Sequence, residues 1–128
     1  MKGDGAIVAY AVLTSSDKGS AGKRIDTSGD AVVEMMQGAR HTLVARIILP
    51  DEFNDLSEQI IAWSDAGETD VILTTGGTGL SSRDIMPEVT KSLITFDIPG
   101  MAEAMRSESL NLTKMSMISR SCLLYTSP

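Results

Sequence analysis

The sequence predicts an α/β protein with a mostly parallel sheet. Short continuous apolar runs suit buried strands, and they alternate with segments in which apolar residues recur every three or four positions, as in helices that bury one face. The order of these segments is strand, helix, strand, helix, strand, helix, which is typical of βαβ units. With 128 residues, 42% of them hydrophobic, the chain can build one globular core. We therefore expect one domain.

The first half of the chain predicts two strands around one helix. The apolar run from Ala6 to Leu13 predicts a buried strand, followed by a polar loop over residues 14–19. Thr27 or Ser28 is the expected N-cap of a helix that Gly38 ends. The run from Leu43 to Leu49 predicts the second strand.

The second half repeats the alternation. Apolar residues at helical spacing predict a helix that ends near Gly67, and Val71 to Thr74 forms the third expected strand. Pro87 suits the first position of a following helix because proline lacks the N–H that would be unpaired there. A further short helix is expected from Met101 to Ser107.

Composition excludes several functional classes. The net charge of −6 and pI near 4.6 argue against binding to nucleic acid or to an anionic membrane. Neither a membrane-spanning stretch nor a convincing signal peptide is present, so we expect a cytoplasmic protein. The single cysteine, Cys122, excludes an internal disulfide. A Ser-His-Asp triad would have to use His41, which we expect to be a solvated turn residue.

The third strand ends in a glycine-rich turn, Gly76-Gly77-Thr78-Gly79, which suits close approach of backbone N–H groups to a phosphate. An aspartate follows each predicted strand, namely Asp17, Asp51 and Asp84, and the carboxyl ends of parallel strands share one edge. Carboxylates beside a phosphate imply a bridging divalent cation, so the pattern predicts Mg²⁺ with a nucleotide or phosphorylated substrate. Each aspartate taken alone also suits a helix cap or an Asx turn.

Several motifs together carry a family resemblance. They are Thr75-Gly76-Gly77-Thr78-Gly79-Leu80 with Arg83-Asp84 and Pro87-Glu88, Ser16-Asp17-Lys18, Asp26-Thr27-Ser28-Gly29, Leu49-Pro50-Asp51-Glu52, residues 99–106, and Met117-Ile118-Ser119-Arg120. In this order they resemble the molybdopterin adenylyltransferase family of molybdenum cofactor biosynthesis, which includes the gephyrin G domain as a eukaryotic relative. The resemblance covers about residues 7–120.

This resemblance implies a three-layer α/β/α sandwich and a homotrimer of the full-length protein. It implies Mg²⁺-dependent transfer of AMP from ATP to molybdopterin, with Asp51 and Asp84 as the essential aspartates that place metal and substrates. The implied nucleotide- or pterin-binding residues are Ser16, Asp17, Thr75, Gly76, Gly77, Thr78, Gly79, Arg83, Glu88, Ser119 and Arg120. For Arg120, an exposed and solvated side chain is the alternative.

Two features depart from the family pattern. Met86 replaces a threonine that would cap the next helix. We therefore expect Asp84 or a water to accept hydrogen bonds from the unpaired N–H groups at the start of that helix. The family's next strand, its Pro-Gly-Ser/Asn-Pro loop and its closing helix are missing, and residues 122–128 resemble a translated sequencing adapter. We therefore expect an incomplete molybdopterin domain over residues 1–121 and a non-native tail over residues 122–128.

Two other functions remain open. A non-catalytic molybdopterin-binding or scaffold protein of the same fold is the main alternative to the enzyme. Molybdate insertion is a third possible activity of this chain, but the glycine motif fits it less well. A molybdate-inserting enzyme is also a candidate partner.

Overall fold

A computed structural model describes residues 5–114, 119–120 and 124–125. Its central sheet contains three parallel strands in the order β2-β1-β3. They are β1 (Ala9–Ser15), β2 (Thr42–Leu49) and β3 (Val71–Thr75). Because β1 pairs on both sides, its residues from Tyr10 to Leu13 are completely buried. The predicted α/β class with a mostly parallel sheet is confirmed.

In the described residues, five helices and a short strand pair accompany this sheet. The helices are α1 (Asp17–Ser20), α2 (Thr27–Gly38), α3 (Phe53–Ala66), α4 (Met86–Leu93) and α5 (Pro99–Ser109). Strand β4 (Phe96–Asp97) pairs antiparallel with β5 (Leu124–Tyr125), a pairing that the sequence did not predict. Within the described ranges, no helix is long and apolar enough to cross a lipid bilayer.

The helices cover both faces of the sheet. On one face Leu13 packs with Leu56 and Ile60 of α3 and with Met86 and Val89 of α4 to form the buried core. Neighbouring side chains of a strand point to opposite faces, and Thr14 contacts the start of α2. Helix α2 therefore lies on the other face, which gives the three α/β/α layers.

Strand β1 continues two residues beyond its predicted end. Thr14 and Ser15 are polar but buried, because each hydroxyl donates a hydrogen bond to an aspartate, Asp26 and Asp51 respectively. Buried polar groups are tolerated when they are paired in this way. The predicted polar loop instead contains helix α1, in which Ser16 is the N-cap and accepts a hydrogen bond from the Gly19 N–H at 2.9 Å.

Asp26 is the N-cap of α2, so the expected cap at Thr27 or Ser28 was wrong. Its carboxylate accepts hydrogen bonds from the Gly29 N–H at 2.9 Å and from the Thr14 hydroxyl at 2.8 Å. Arg46 Nη2 donates to the same carboxylate at 3.1 Å and to Asp30 at 2.7 Å. One aspartate thus joins β1, the start of α2 and β2.

Replacing Asp26 with alanine is expected to lower the free energy of unfolding by about 2 kcal/mol, because the N-cap acceptor is lost and Thr14 and Arg46 lose a partner. Urea denaturation measures this change. The matched control is Asp30→Ala, which removes the exposed partner of Arg46 without removing the cap, and its expected cost is below about 0.5 kcal/mol. Equal losses in the two variants would contradict the role assigned to Asp26.

The same carboxylate predicts a pH dependence of stability. Burial opposes the ionisation of Asp26, but the hydrogen bonds from Gly29, Thr14 and Arg46 outweigh it, so its pKa lies below the ordinary value of 3.8. The unfolded chain then binds this proton more readily than the folded protein. The stability difference between wild type and Asp26→Asn is expected to shrink as the pH falls below 3.8. A difference that stays constant between pH 7 and pH 3 would be evidence against this linkage.

The remaining helices agree with expectation except at their ends. Gly67, with φ of +71°, follows α3 as predicted. Helix α4 begins one residue before Pro87, and α5 starts and ends two residues outside its predicted limits. Of the predicted tail over residues 122–128, only Leu124–Tyr125 lies in the described residues, and Cys122, Met117 and Ile118 lie outside them.

Candidate active site

The loops after the three parallel strands meet at one edge of the sheet. In the strand register, Ser15 lies beside Leu49 and Thr14 beside Thr75, so the carboxyl ends of the strands are level. A cleft of about 320 Å³ opens at this edge, and we call it the sheet-edge cleft. Its lining residues are Thr14, Ser15, Ser16, Gly19, Arg24, Ile25, Asp26, Thr27, Ser28, Asp51, Thr75, Gly76, Gly77 and Asp84.

The glycine turn requires glycine at Gly76. Gly76 and Gly77 have φ of +89° and +71°, in the left-handed region that other residues rarely adopt. A Cβ atom on Gly76 would lie 2.3 Å from the Ser15 carbonyl oxygen of β1. The turn therefore lies in close contact with the end of the central strand β1. There is no room for a side chain at Gly76 in this wall of the cleft.

Gly76→Ala is expected to destabilise the protein by about 2 kcal/mol or more, since the substitution combines backbone strain with a backbone clash. Thermal unfolding measures the loss. Gly38→Ala is the matched control because a Cβ there meets nothing within 4 Å and φ is not positive, so its stability is expected to be unchanged or slightly higher. A fully stable Gly76→Ala variant would show that the turn does not need glycine.

Asp51 is held by the end of β1 and the start of α1. Ser15 donates its hydroxyl to Asp51 Oδ1 at 2.5 Å, and the Asp17 N–H donates to Asp51 Oδ2 at 3.1 Å. In return the Asp51 N–H donates to Asp17 Oδ1 at 2.9 Å. This reciprocal pairing fixes the carboxylate before any ligand binds.

Asp84 lines the same cleft from the loop between the glycine turn and α4. Its Oδ2 accepts a hydrogen bond from the Ser81 N–H at 3.0 Å, and a Cβ on Gly79 would lie 2.7 Å from the same oxygen. Of the two expected partners for the free N–H groups of α4, Asp84 or a water, Asp84 was wrong, because the N-cap is Ile85 and no side chain caps this helix. The Met86 N–H instead donates to the Gly77 carbonyl at 3.1 Å, and the Met86 side chain is buried in the core.

Asp17 and Arg83 contact each other. Arg83 donates to both carboxylate oxygens of Asp17, from Nε at 3.0 Å and from Nη2 at 2.9 Å, and also to Glu52 at 2.9 Å. The Arg83 guanidinium lowers the pKa of Asp17, with help from the Asp51 N–H, and the pKa of Arg83 is raised by Asp17 and Glu52. Neither side chain lines the sheet-edge cleft, and neither do Thr78 and Gly79. Their contact with substrate stays a prediction.

Glu88, Ser119 and Arg120 lie in a second cleft of about 370 Å³ between α4 and α5, which we call the α4–α5 cleft. The predicted site residues thus fall into three sets: those in the sheet-edge cleft, these three in the α4–α5 cleft, and four that line neither cleft, namely Asp17, Thr78, Gly79 and Arg83. Arg120 connects the α4–α5 cleft to the glycine turn. Its main-chain N–H donates to the Thr78 carbonyl at 2.7 Å, and its side-chain Nε donates to the Gly79 carbonyl at 2.8 Å. Its two remaining nitrogens donate to the Asp84 carbonyl and to Glu88.

The Glu88 side chain is therefore paired rather than free for a ligand. Arg120 lowers the pKa of Glu88, chiefly through their hydrogen bond. Arg120 itself holds the glycine turn and the Asp84 loop together, so the alternative of a solvated Arg120 is wrong.

One wall of the sheet-edge cleft was not predicted from the sequence. This wall runs from Arg24 to Ser28, from the loop after α1 into the first turn of α2. Asp26, Thr27 and Ser28 were noted only as a motif and as helix-start residues. The sequence did contain a signal for this wall, because Thr14 and Ser15 are polar residues directly after an apolar strand. Buried hydroxyls need hydrogen-bond partners, and here the partners are the carboxylates of Asp26 and Asp51. His41, directly after the turn at residues 39–40, accepts a hydrogen bond from the Val8 N–H at 3.1 Å, is partly exposed and lines neither cleft.

The acidic residues fit a magnesium ion that arrives with a nucleotide. Among the residues that the structure describes, no group of three or more histidine, cysteine or acidic side chains could hold a metal by itself. Asp51 and Asp84 nevertheless line the same cleft. Mg²⁺ is usually bound by one or two carboxylates together with substrate phosphates, so these two residues would complete its ligands only when a phosphate is present.

A parallel sheet with such a cleft defines the class of α/β proteins that bind ligands at the carboxyl edge of the strands. Residues 11–127 match the protein family described as "Probable molybdopterin binding domain", and the chain belongs to that family. Solved structures agree: the molybdopterin biosynthesis enzyme MoaB from Thermus thermophilus has a TM-score of 0.86 and 38% identity, covering 94% of this chain and 76% of that chain.

Two sequence relatives extend the comparison. A molybdopterin adenylyltransferase from Helicobacter pylori is 36% identical over 111 residues, which cover 85% of this chain and 63% of the relative. The gephyrin of Dictyostelium discoideum is 34% identical over 119 residues, which cover 85% of this chain and 16% of the relative. The chain thus spans less than two thirds of the length of either one. It is related to proteins of molybdenum cofactor biosynthesis.

Proposed function

We propose that the protein is a molybdopterin adenylyltransferase, which transfers AMP from ATP to the terminal phosphate of molybdopterin and releases pyrophosphate. The observation that carries this proposal is the meeting of Asp51, Asp84 and the glycine turn in one cleft, although they come from two different loops. The name of the Helicobacter pylori relative supports the same activity.

The chemistry needs few reactive groups on the protein. An oxygen of the molybdopterin phosphate attacks the α-phosphorus of ATP, the bond from that phosphorus to the bridging oxygen breaks, and pyrophosphate leaves with the electron pair. Because the attacking phosphate is already an anionic nucleophile, no serine or cysteine has to be activated. The protein's task is to align the two phosphates and to offset their charge.

The described residues suit this task. The glycine turn, which has no side chain on Gly76 or Gly77, lets backbone N–H groups approach a phosphate. Asp51 is held by Ser15 and Asp17 in a fixed position, which favours a defined geometry for metal and substrate. Mg²⁺, when bound through Asp51 and Asp84, would supply the positive charge that two neighbouring phosphates require.

The experiment that tests the proposal measures pyrophosphate release with Mg-ATP, with and without molybdopterin. We expect release only when molybdopterin is present. Molybdopterin that binds without any release of pyrophosphate would favour the alternative, a binding or scaffold protein of the same fold. Pyrophosphate release from ATP alone would contradict both functions.

We also propose, from the family resemblance, that the full-length protein is a homotrimer acting in the cytoplasm and that a molybdate-inserting enzyme receives its product. Light scattering of the purified full-length protein is expected to give three times the chain mass. A monomer would contradict the trimer and would leave the proposed reaction unaffected.

A further inference from the structure

The sheet-edge cleft has an excess of negative charge. Three acidic residues line it, namely Asp26, Asp51 and Asp84, and within the described part of the chain Arg24 is its single positively charged lining residue. A nucleotide bound here would bring several further negative charges. Arg24 is therefore the side chain whose charge matters most for such a ligand.

The other arginines near this edge already have partners. Arg83 pairs with Asp17 and Glu52, and Arg46 pairs with Asp26 and Asp30. Arg120 donates to main-chain carbonyls and to Glu88. By contrast, the Arg24 side chain makes no hydrogen bond or ion pair with the rest of the described chain. Its donors are available to a ligand.

The local backbone holds Arg24 at the cleft. On its amino-terminal side, the Lys23 N–H donates to the Lys18 carbonyl of α1 at 2.8 Å. On its carboxyl-terminal side, the Asp26 carboxylate is fixed by Thr14 and by Arg46. The segment between these anchors is two residues long, so Arg24 cannot move far from the cleft even though its side chain is exposed.

We propose that Arg24 binds the phosphate chain of the nucleotide in the sheet-edge cleft. This inference rests on the proposed adenylyltransferase function and adds a residue to it. A guanidinium can donate two parallel hydrogen bonds to a phosphate. A metal held by Asp51 and Asp84 offsets charge but donates no hydrogen bonds, so it does not replace this contact. Arg24 then offsets phosphate charge at the wall formed by residues 24–28.

The test compares binding of Mg-ATP and of adenosine to wild type, Arg24→Gln and Lys23→Gln by calorimetry. Lys23 is the neighbouring exposed cation and does not line the cleft, so Lys23→Gln makes the same change in net charge without removing the proposed contact. Arg24→Gln is expected to raise the Kd for Mg-ATP about tenfold, the usual effect of losing a charged hydrogen bond. The Kd for adenosine is expected to stay unchanged in both variants.

Because Arg24 makes no hydrogen bond or ion pair with another described residue, Arg24→Gln is expected to unfold at the wild-type temperature. Mg-ATP binding by Arg24→Gln that equals wild type would overturn the role of Arg24, and so would equal losses in Arg24→Gln and Lys23→Gln. Both results leave the proposed reaction standing. A wild-type protein that binds no Mg-ATP would instead overturn the proposed function together with this inference.

Discussion

Asp84→Asn is expected to reduce adenylylation of molybdopterin at least about 100-fold while the fold is retained. The Asp84 carboxylate lines the sheet-edge cleft, and its Oδ2 accepts one hydrogen bond, from the Ser81 N–H. The side-chain oxygen of asparagine can accept the same bond, so the loop keeps its shape. What the variant loses is the negative charge that would help to hold Mg²⁺ beside the phosphates.

The measurement is the initial rate of product formation at saturating ATP and molybdopterin. Asp65→Asn is the control, because Asp65 is exposed on α3 and lines neither cleft. We expect this control to retain the wild-type rate. An Asp84→Asn variant with an unchanged rate would remove Asp84 from the mechanism, and loss of its thermal unfolding transition would show that the side chain stabilises the fold instead.

Arg120→Ala is expected to lower kcat about 100-fold with a smaller change in KM, because Arg120 positions the turn and the Asp84 loop. Its guanidinium donates to the carbonyl oxygens of Gly79 and Asp84, which lie on either side of this loop. Small displacements of catalytic groups can cost this much in rate. A large rise in KM with unchanged kcat would show instead that Arg120 binds substrate in the ground state.

Two further variants separate positioning from charge. Glu88→Gln removes the ionic partner of Arg120 but keeps its carbonyl contacts, so we expect kcat to change less than threefold. Arg120→Lys keeps the charge but loses the planar arrangement of donors, so we expect only partial recovery relative to alanine. The N–H groups of Ser81 and Met86 make the hydrogen bonds that close this loop. Their hydrogen exchange should therefore be faster in Arg120→Ala than in wild type. Unchanged exchange would contradict the positioning role.

The sequence identified most of the fold because the apolar periodicity is strong in the sheet and in α2, α3 and α4. It missed α1, whose cap at Ser16 lies in a stretch that is polar throughout. It placed the end of β1 too early, since burial of Thr14 and Ser15 depends on carboxylates 12 and 36 residues away. The β4–β5 pair could not be predicted because each strand has two residues.

The candidate site was predicted best where topology alone decides position. Asp51, Asp84, Gly76 and Gly77 line one cleft because parallel strands end at a common edge. Side-chain direction is not fixed by topology, and this is why the pairing of Asp17 with Arg83 was not foreseen. The location of Glu88, Ser119 and Arg120 in a second cleft was missed for the same reason, because the Arg120 side chain is directed at main-chain carbonyls.

Adenylylation of molybdopterin is tested most directly by following the phosphorus atoms of ATP. Protein, molybdopterin and Mg²⁺ are mixed with ATP labelled at the α-phosphorus and, in a parallel reaction, at the γ-phosphorus. Adenylylation in the sheet-edge cleft predicts that the α label appears in the pterin product and the γ label in pyrophosphate. A γ label in the pterin product would show phosphoryl transfer, and a pterin product with neither label would contradict the proposed enzyme.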